Sequence, residues 1–237
     1  MVGLSKAAEA GYERDGFAIV EGLFSADECQ RICQLGETLE SFRSGKLTPA
    51  MNPHRERPEL LETMGDGRLM ACMEQLVGGT PMGLQTQYFY GRPGTPGFAR
   101  HQDNYYVEAD RESFASAWLA LDDVEIINGA LVLYPGSHRE PILDVRAIPQ
   151  LSTFGQDPNA NKQECVLPET YPSIDVPVKR GTVVFIHGHV AHSSHDNKSE
   201  RFRRVLLMTY IKEGVAYRAG YTARRETFEL RNLKRAS

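Results

Sequence analysis

The sequence predicts a mainly β protein, a barrel or sandwich of short strands with helices packed on one side. Two observations predict this class. The hydrophobic period changes from helical to strand-like near residue 80, and the strand-like segments are short and end at Gly, Pro or Asn. Because 237 residues is the length of one domain, we expect a single domain over 1–237. It has a helical part over about 1–80, a β core over about 81–212 and a C-terminal extension over 213–237.

Two helices are predicted in the N-terminal third. Ser25 begins a Ser-Ala-Asp-Glu sequence with Glu28 three residues later, which is the capping-box pattern of a helix start. Apolar residues then recur at helical spacing, and Gly45 marks the exit. Apolar residues at the same spacing predict a second helix over residues 66–76, which two glycines end.

Five later segments have the length and composition of β-strands. They are residues 84–90, 116–121, 130–134, 182–187 and 205–211. Asn128-Gly129 predicts a hairpin between the second and third of them. Residues 139–180 are polar, with Pro and Asn, and are predicted to form a long loop. This loop is the best candidate for a lid, because active sites that exclude water need an element that moves.

Composition and charge disfavour several classes of partner. Hydrophobic residues are 41% and charged residues 24%, which excludes a mainly disordered chain. Lys and Arg number 27 against 31 Asp and Glu, and the net charge of −4 disfavours nucleic acid. No apolar run approaches the roughly 20 residues of a membrane span, and the first residues lack the apolar core of a signal peptide. We therefore expect a cytoplasmic protein with no membrane partner and with its cysteines as thiols; its oligomeric state stays open.

Four of the seven histidines fall within nine residues, directly after a predicted strand. They are His187, His189, His192 and His195. Neutral imidazole is a common ligand of first-row transition metals, so the cluster is a candidate metal site. The alternative is a polar surface loop, and the cluster alone does not show which histidine binds.

A carboxylate ligand is expected from a His-x-Asp/Glu motif, which begins at His54, His101 and His138. Only His101 leads directly into an aromatic, strand-like segment. On a strand, residues i and i+2 point to one face, so His101 and Asp103 would share a cation. Two histidines and one carboxylate leave open positions on the metal, as in the facial triad of non-haem Fe(II) oxygenases. A structural zinc site would instead be closed.

Arg203 and Arg204 stand in the last predicted strand, where adjacent side chains face opposite ways. One of them would then be buried, which is costly unless the guanidinium meets an anion. Its fork binds a carboxylate through two hydrogen bonds, and the distal carboxylate of 2-oxoglutarate would suit. The alternative for either arginine is a solvated strand residue.

The chain resembles the phytanoyl-CoA dioxygenase family of Fe(II)- and 2-oxoglutarate-dependent oxygenases over about residues 11–212. The blocks that carry the resemblance are residues 12–25, His101-Gln-Asp103, Trp118-Leu-Ala-Leu-Asp-Asp, Asn128-Gly-Ala-Leu131, Pro135-Gly-Ser-His138, residues 181–188, His192-Ser-Ser194, Asn197-Lys-Ser199 and Arg203. Their number and order carry the resemblance, since no block is specific alone. It implies a double-stranded β-helix, a cupin-like jelly roll, flanked by helices.

The resemblance also implies a set of site residues. Iron would be held by His101, Asp103 and His192, and Arg203 would hold the far carboxylate of 2-oxoglutarate, with O2 on the remaining position. The residues expected near the co-substrate are Ser194, Trp118 and Gln87. The residues that would face the substrate are Asn104, Tyr105 and Tyr106, for which ordinary strand packing is the alternative. Because related halogenases have Gly or Ala in place of the carboxylate, Asp103 disfavours halide transfer.

The expected function is therefore a dioxygenase that hydroxylates an unactivated C–H bond of a small molecule and releases succinate and CO2. One alternative is the same iron centre with another outcome, such as desaturation, epimerisation or cyclisation. Another is a cupin-like protein that binds a metal or ligand without turnover. A zinc hydrolase ranks lower, because the sequence has no His-Glu-x-x-His motif.

Overall fold

Two β-sheets and a layer of helices make up the fold of residues 3–149 and 162–230, which the computed structural model describes. The helices are α1 (Lys6–Asp15), α2 (Ala26–Glu37), α3 (Glu40–Arg43), α4 (Leu60–Met64) and α5 (Gly67–Leu76). The strands are β1 (Phe17–Val20), β2 (Ala50–Met51), β3 (Pro81–Phe89), β4 (Phe114–Ala120), β5 (Leu131–Leu133), β6 (Val145–Ala147), β7 (Gln163–Cys165), β8 (Ile174–Val176), β9 (Val183–His187), β10 (His192–Ser194) and β11 (Val205–Lys212). The predicted class, mainly sheet with N-terminal helices, is confirmed.

The larger sheet is antiparallel, and its six strands lie in the order β1-β9-β4-β11-β3-β2. A smaller sheet has the order β10-β5-β8, and β6 pairs with β7. Strand β11 lies between β3 and β4, and a bulge interrupts its register with β3 between Thr209 and Tyr210. Residues that pair directly across these strands present their side chains on the same face.

The larger sheet is buried on both faces, because alternate side chains enter two different cores. On β9, Phe185 packs with residues of α2, α4 and α5, whereas Val184 packs with Leu131 and Leu133 of the smaller sheet. Full burial of a side chain such as Phe185 stabilises the fold by about 1.5–3 kcal/mol. The face toward the smaller sheet, called the inner face below, also carries the candidate site.

The helix starts agree with the prediction, but the first helix ends early. Ser25 Oγ accepts from the N–H of Glu28 at 3.2 Å, and the Glu28 carboxylate accepts from the N–H of Ser25 at 2.7 Å, which confirms the capping box. Helix α5 is also confirmed. Helix α2, however, stops at Glu37 rather than near Gly45, because the Thr38 hydroxyl donates to the Leu35 carbonyl at 2.7 Å and competes with the helical hydrogen bond.

All five predicted strands are present, but the predicted hairpin at Asn128-Gly129 is wrong. Strands β4 and β5 lie in different sheets, and a 3₁₀ helix at Ile126–Asn128 connects them. Asn128 caps this turn: its side-chain oxygen accepts from the N–H of Glu125 at 2.7 Å, and its amide donates to the Asp123 carbonyl at 2.9 Å. The Asn-Gly pair therefore closes a 3₁₀ turn between two sheets.

The prediction of one long loop over 139–180 is also wrong, since β6, β7 and β8 lie in it. Apolar side chains of this segment, such as Cys165 and Val176, are buried, which is why short strands form there. Its residues 150–161 lie outside the described residues. Within residues 3–149 and 162–230, no helix has the length and apolar sequence needed to cross a membrane.

The packing of α2 on the larger sheet generates a prediction about stability. A Cβ added to Gly36 would lie 2.3 Å from Cζ of Tyr88, whose side chain is fully buried. We expect Gly36→Ala to lower the free energy of unfolding by about 1–3 kcal/mol in urea denaturation. The control is Gly11→Ala in α1, where nothing lies within 4 Å of the added Cβ. It should be neutral or stabilising by up to about 1 kcal/mol, and equal effects of the two changes would contradict the packing.

Candidate metal centre

The two histidines of the predicted site meet through their backbones. His101 and His192 form an isolated antiparallel bridge, in which each N–H donates to the other carbonyl at 2.9 Å. Their ring centroids lie 4.2 Å apart. The strand predicted after His101 is wrong, because the buried Asn104 holds residues Asp103–Tyr106 in a 3₁₀ helix. Asp103 therefore reaches the histidines from a turn and not from strand alternation.

Asp103 completes a group of three converging side chains. One ligand atom from each of His101, Asp103 and His192 lies within 4.8 Å of the other two. Oδ1 of Asp103 is 3.7 Å from Nε2 of His101 and 3.8 Å from Nε2 of His192. Among the described residues, this is the group of His, Cys, Asp and Glu side chains that could hold a metal ion.

Each ligand atom is oriented by a partner on the other side of its side chain. Nδ1 of His101 donates to the Ala99 carbonyl at 2.8 Å, and Nδ1 of His192 donates to the Val190 carbonyl at 3.1 Å. Because a carbonyl only accepts, these bonds place the imidazole protons on Nδ1 and leave Nε2 free to bind a metal. Burial, with a smaller contribution from His192, lowers the pKa of His101 to about 4, so its ring is neutral.

The carboxylate of Asp103 is held in the same way by Ser116 on β4. The Ser116 hydroxyl donates to Oδ2 of Asp103 at 2.6 Å, which leaves Oδ1 toward the histidines. Sequence reasoning missed Ser116. Its place two residues before Trp118, on the same face of β4, was the signal that could have found it.

Arg203 is a buried cation with no anion beside it among the described residues. Its side chain lies just before β11, it is 4% exposed, and its buried Nε has no hydrogen-bond partner. Its guanidinium carbon lies 6.0 Å from the ring centroid of Trp118, and burial lowers its pKa to about 10. A desolvated charge of this kind is unfavourable unless an anion meets it.

Arg204 faces the other way, as the alternation of a strand predicts. Its Nη2 and Nε donate to the two carboxylate oxygens of Asp122 at 2.8 and 2.9 Å, and Nη1 lies 3.4 Å from Glu37. The hydrogen bonds to Asp122 raise its pKa above the usual value. Of the two adjacent arginines, Arg203 is therefore the one that can receive an anionic ligand.

The residues expected near the co-substrate lie on the inner face or at its edge. Trp118 follows Ser116 by two residues on β4, a separation of about 7 Å. Gln87 and Trp118 both pair with Leu207, from opposite sides of β11, so all three share a face. Ser194 follows His192 on β10, and its hydroxyl oxygen accepts from the N–H of Phe98 at 2.9 Å. Its hydroxyl proton remains available to a ligand.

The three residues expected to face the substrate are placed differently. Asn104 is buried and its side chain is used internally, because its amide bonds Nε2 of His189 at 3.0 Å and both the N–H and the carbonyl of Ala109. Tyr105 and Tyr106 line a small cleft beside His101. The other residues that line it are Arg100, Gln102, Val145, Gln163, Glu164 and Cys165.

The remaining histidines bond to other groups. Their partners are Thr86 for His54, the Glu13 carbonyl for His138, Glu112 for His187, Asn104 for His189 and Asp175 for His195. The rings of His187 and His189 lie near each other, with centroids 5.8 Å apart, at the end of β9. Only two of the seven histidines therefore belong to the converging group among the described residues.

Comparison with known proteins agrees with this geometry. The model of the phytanoyl-CoA dioxygenase (PhyH) family matches residues 12–205. The chain belongs to the phytanoyl-CoA dioxygenase family. A family relative from Arabidopsis thaliana, "Phytanoyl-CoA dioxygenase", is 31% identical over 135 residues, which are 56% of this chain and 45% of that protein. The chain therefore spans about half the length of this relative.

Two solved structures resemble the chain over most of its length. The epimerase SnoN, in complex with Fe3+, alpha ketoglutarate and nogalamycin RO, has a TM-score of 0.72 and 22% identity, and the match covers 90% of this chain and 85% of SnoN. The alpha-ketoglutarate-dependent carbocyclase SnoK, from nogalamycin biosynthesis, has a TM-score of 0.73 and 21% identity over 96% of this chain and 95% of SnoK. At these identities the likeness shows a shared fold.

Burial of His187 generates a prediction about pH. Desolvation lowers the pKa of His187 from 6.5 to about 4, so the unfolded chain binds more protons between these values. Lowering the pH from about 7 to about 5 should therefore lower the free energy of unfolding of the metal-free protein. We expect His187→Gln to reduce this loss, as measured by urea denaturation at both pH values. His195→Gln, which changes a half-exposed histidine, is the control and should retain it; equal pH dependence of His187→Gln and the wild type would contradict the assignment.

Proposed function

We propose that this chain is a non-haem Fe(II)- and 2-oxoglutarate-dependent dioxygenase with its iron held by His101, Asp103 and His192. One juxtaposition carries the proposal: Ser116, which holds Asp103 of the converging His-Asp-His group, stands two residues from Trp118, which lies beside the buried Arg203 whose Nε has no partner among the described residues. The first feature suits a metal with open positions, and the second suits the far carboxylate of a co-substrate that chelates the metal. The fold shared with SnoN, which was solved with Fe3+ and alpha ketoglutarate, supports it.

The donor set fits iron better than a structural zinc ion. Two neutral imidazoles and one carboxylate are three ligands, whereas a structural zinc site closes all four tetrahedral positions. The open side gives room for a chelating co-substrate and for dioxygen. The unpaired guanidinium of Arg203 fits the charge of a dicarboxylate, which a purely structural metal site would not need.

The chain's own residues orient the reactants and exclude water. Ser116 holds the ligand carboxylate, and backbone carbonyls hold the two imidazoles with Nε2 toward the metal. Arg203 binds the far carboxylate of 2-oxoglutarate against Trp118, in a site shielded from solvent, where losing one partner of a buried charge pair costs about 2–5 kcal/mol. When bound, iron with 2-oxoglutarate and O2 supplies the oxidation of a substrate C–H bond, with succinate and CO2 released.

The expected architecture and outcome follow from the same proposal. The two facing sheets would be the halves of a double-stranded β-helix, and the chain a single domain over 1–237. Hydroxylation of a small molecule is favoured over halide transfer, because Asp103 occupies the carboxylate position. Epimerisation or ring closure is the second candidate, since SnoN and SnoK share this fold and carry those names. A product heavier than the substrate by one oxygen atom distinguishes hydroxylation from both.

Anaerobic titration tests the metal and co-substrate assignments together. With Fe(II), added 2-oxoglutarate should produce the weak visible charge-transfer band of a chelated 2-oxo acid in the wild type but not in His192→Ala. Arg203→Met should still bind iron but require roughly 30-fold more 2-oxoglutarate, which is the effect of about 2 kcal/mol. The matched control is Arg204→Met: Arg204 pairs with Asp122 on the other side of the chain, so this change should leave the titration unchanged. If Arg204→Met weakens 2-oxoglutarate binding and Arg203→Met does not, the proposal is wrong.

Ser116 is expected to act through Asp103 as a positioning residue. Ser116→Ala removes the donor to Oδ2 of Asp103 and should weaken Fe(II) binding by about 10–100-fold, measured by competition with a chelator under anaerobic conditions. Ser113→Ala is the control, because that buried hydroxyl donates to the Asp110 carbonyl. Equal iron affinities of Ser116→Ala and the wild type would remove Ser116 from the site.

A further inference from the structure

The C-terminal segment, residues 213–230, lies outside the family match and packs on the turn that carries Asp103. Arg218 Nη2 donates to the Tyr105 carbonyl at 2.7 Å, and Arg225 Nη1 donates to the Tyr106 carbonyl at 3.0 Å. The segment is also anchored on β3, because Gly83 and Phe228 exchange two backbone hydrogen bonds of 3.0 Å. Residues that the resemblance did not cover therefore form part of the site's wall.

Arg225 is a half-buried cation that lacks an ion-pair partner among residues 3–149 and 162–230. Its Nε donates to Oε1 of Gln85 at 2.9 Å, and Nη1 is used by the Tyr106 and Arg218 carbonyls. Within the same residues Nη2 has no hydrogen bond. Arg218 forms an ion pair with Glu108 at 2.8 Å. Asp103 interacts electrostatically with Arg225, but its carboxylate accepts its hydrogen bond from Ser116. The Arg225 charge is thus available to a ligand.

Gln85 supplies a second donor at the same place. It is 1% exposed, and its Nε2 is buried with no partner among the described residues. Because Oε1 accepts from Arg225, the orientation of the amide is fixed and Nε2 is the group left over. An unsatisfied buried donor is unfavourable, and a ligand oxygen would satisfy it.

The register of the larger sheet places this pair beside the metal site. Gln85, Thr209 and Ser116 pair directly across β3, β11 and β4, and all three are buried on the inner face. Two strand spacings separate Gln85 from Ser116, about 10 Å, and Ser116 holds Asp103. Arg203 lies before β11, and its guanidinium lies beside Trp118, which pairs with Leu207 rather than with Thr209. The two arginines therefore reach different points of the inner face.

We propose that Arg225 and Gln85 bind a carboxylate of the substrate, so that the enzyme oxidises a small carboxylic acid. The guanidinium supplies the charge and Nη2, and the Gln85 amide supplies a second hydrogen bond to the same carboxylate. Carbon atoms a few bonds from a carboxylate held there would lie toward Ser116 and the Asp103 that it holds. This inference rests on the proposed function, since it names the substrate class of that centre.

Binding of a matched acid and amide tests the inference. Fluorine NMR is recorded for trifluoroacetate and trifluoroacetamide with the anaerobic Fe(II) protein, and saturating 2-oxoglutarate keeps Arg203 occupied. The wild type should broaden the trifluoroacetate line saturably and leave the trifluoroacetamide line sharp. Arg225→Gln should raise the dissociation constant of trifluoroacetate at least tenfold. Arg224→Gln, an exposed arginine next in the chain, should behave as the wild type.

Gln85→Glu separates ligand binding from structural support. A carboxylate at this position keeps the contact with Arg225 Nε but neutralises the arginine, so the protein stays folded while trifluoroacetate binding falls at least tenfold. Unchanged binding in Arg225→Gln or in Gln85→Glu, or equal broadening of acid and amide, would overturn the inference. Absence of the visible 2-oxoglutarate band in the same samples would instead count against the proposed function. The slow tumbling of the protein broadens the line of a bound probe even without iron. The comparison of acid and amide therefore tests the inference whether or not the 2-oxoglutarate band is present.

Discussion

An unpaired guanidinium in the interior is the constraint on which the arrangement of the site depends. A buried Arg203 without an anion is unfavourable, and the backbone around it is shaped to keep it in place. A Cβ on Gly129 would lie 3.1 Å from Arg203 Nε, and one on Gly91 would lie 2.4 Å from the Arg203 carbonyl oxygen. Both glycines have positive φ, 107° and 39°. Two glycines with positive φ thus give room for Arg203 and its buried charge beside Trp118. An anion bound at the guanidinium would offset the cost of burying that charge.

The larger sheet supports the site through Ser116, which holds Asp103. Its outer face packs on helices and its inner face packs partly on the smaller sheet, so β4, β9 and β11 are buried on both sides. One part of the inner face is apolar and forms the second core. Another part is the polar row of Gln85, Thr209 and Ser116, next to the converging His-Asp-His group. Ser116 thus stands on a strand that is packed on both faces, and from there it holds the carboxylate that the turn presents.

Sequence reasoning predicted the parts of the fold and site that local pattern encodes. The capping box at Ser25, helix α5 and the five strand segments depend on residues that are close in the chain, and all are present. Strand alternation also predicted that Arg203 and Arg204 face opposite ways, and the pairing of Arg204 with Asp122 agrees with it.

The misses have a common physical cause, because each depends on contacts between distant residues. Asn128-Gly129 has the composition of a hairpin turn, but Gly129 gives room to Arg203, 74 residues later in the chain. The residues after His101 read as a strand, but Asn104 bonds to Ala109 and His189 and turns the chain. Nothing in the local sequence of Arg225 indicates that it meets Gln85, 140 residues earlier.

The two unpaired arginines suggest how the site distinguishes its two ligands. Arg203 lies in the protein interior beside Trp118, whereas Arg225 donates to the Tyr106 carbonyl at the end of the Asp103 turn. A carboxylate bound at Arg225 would therefore contact the same guanidinium that bonds the turn Asp103–Tyr106, and this turn carries the proposed metal ligand Asp103. In the proposed arrangement the co-substrate anion would be recognised by an interior charge, and the substrate anion by a charge that also holds the turn with the metal ligand.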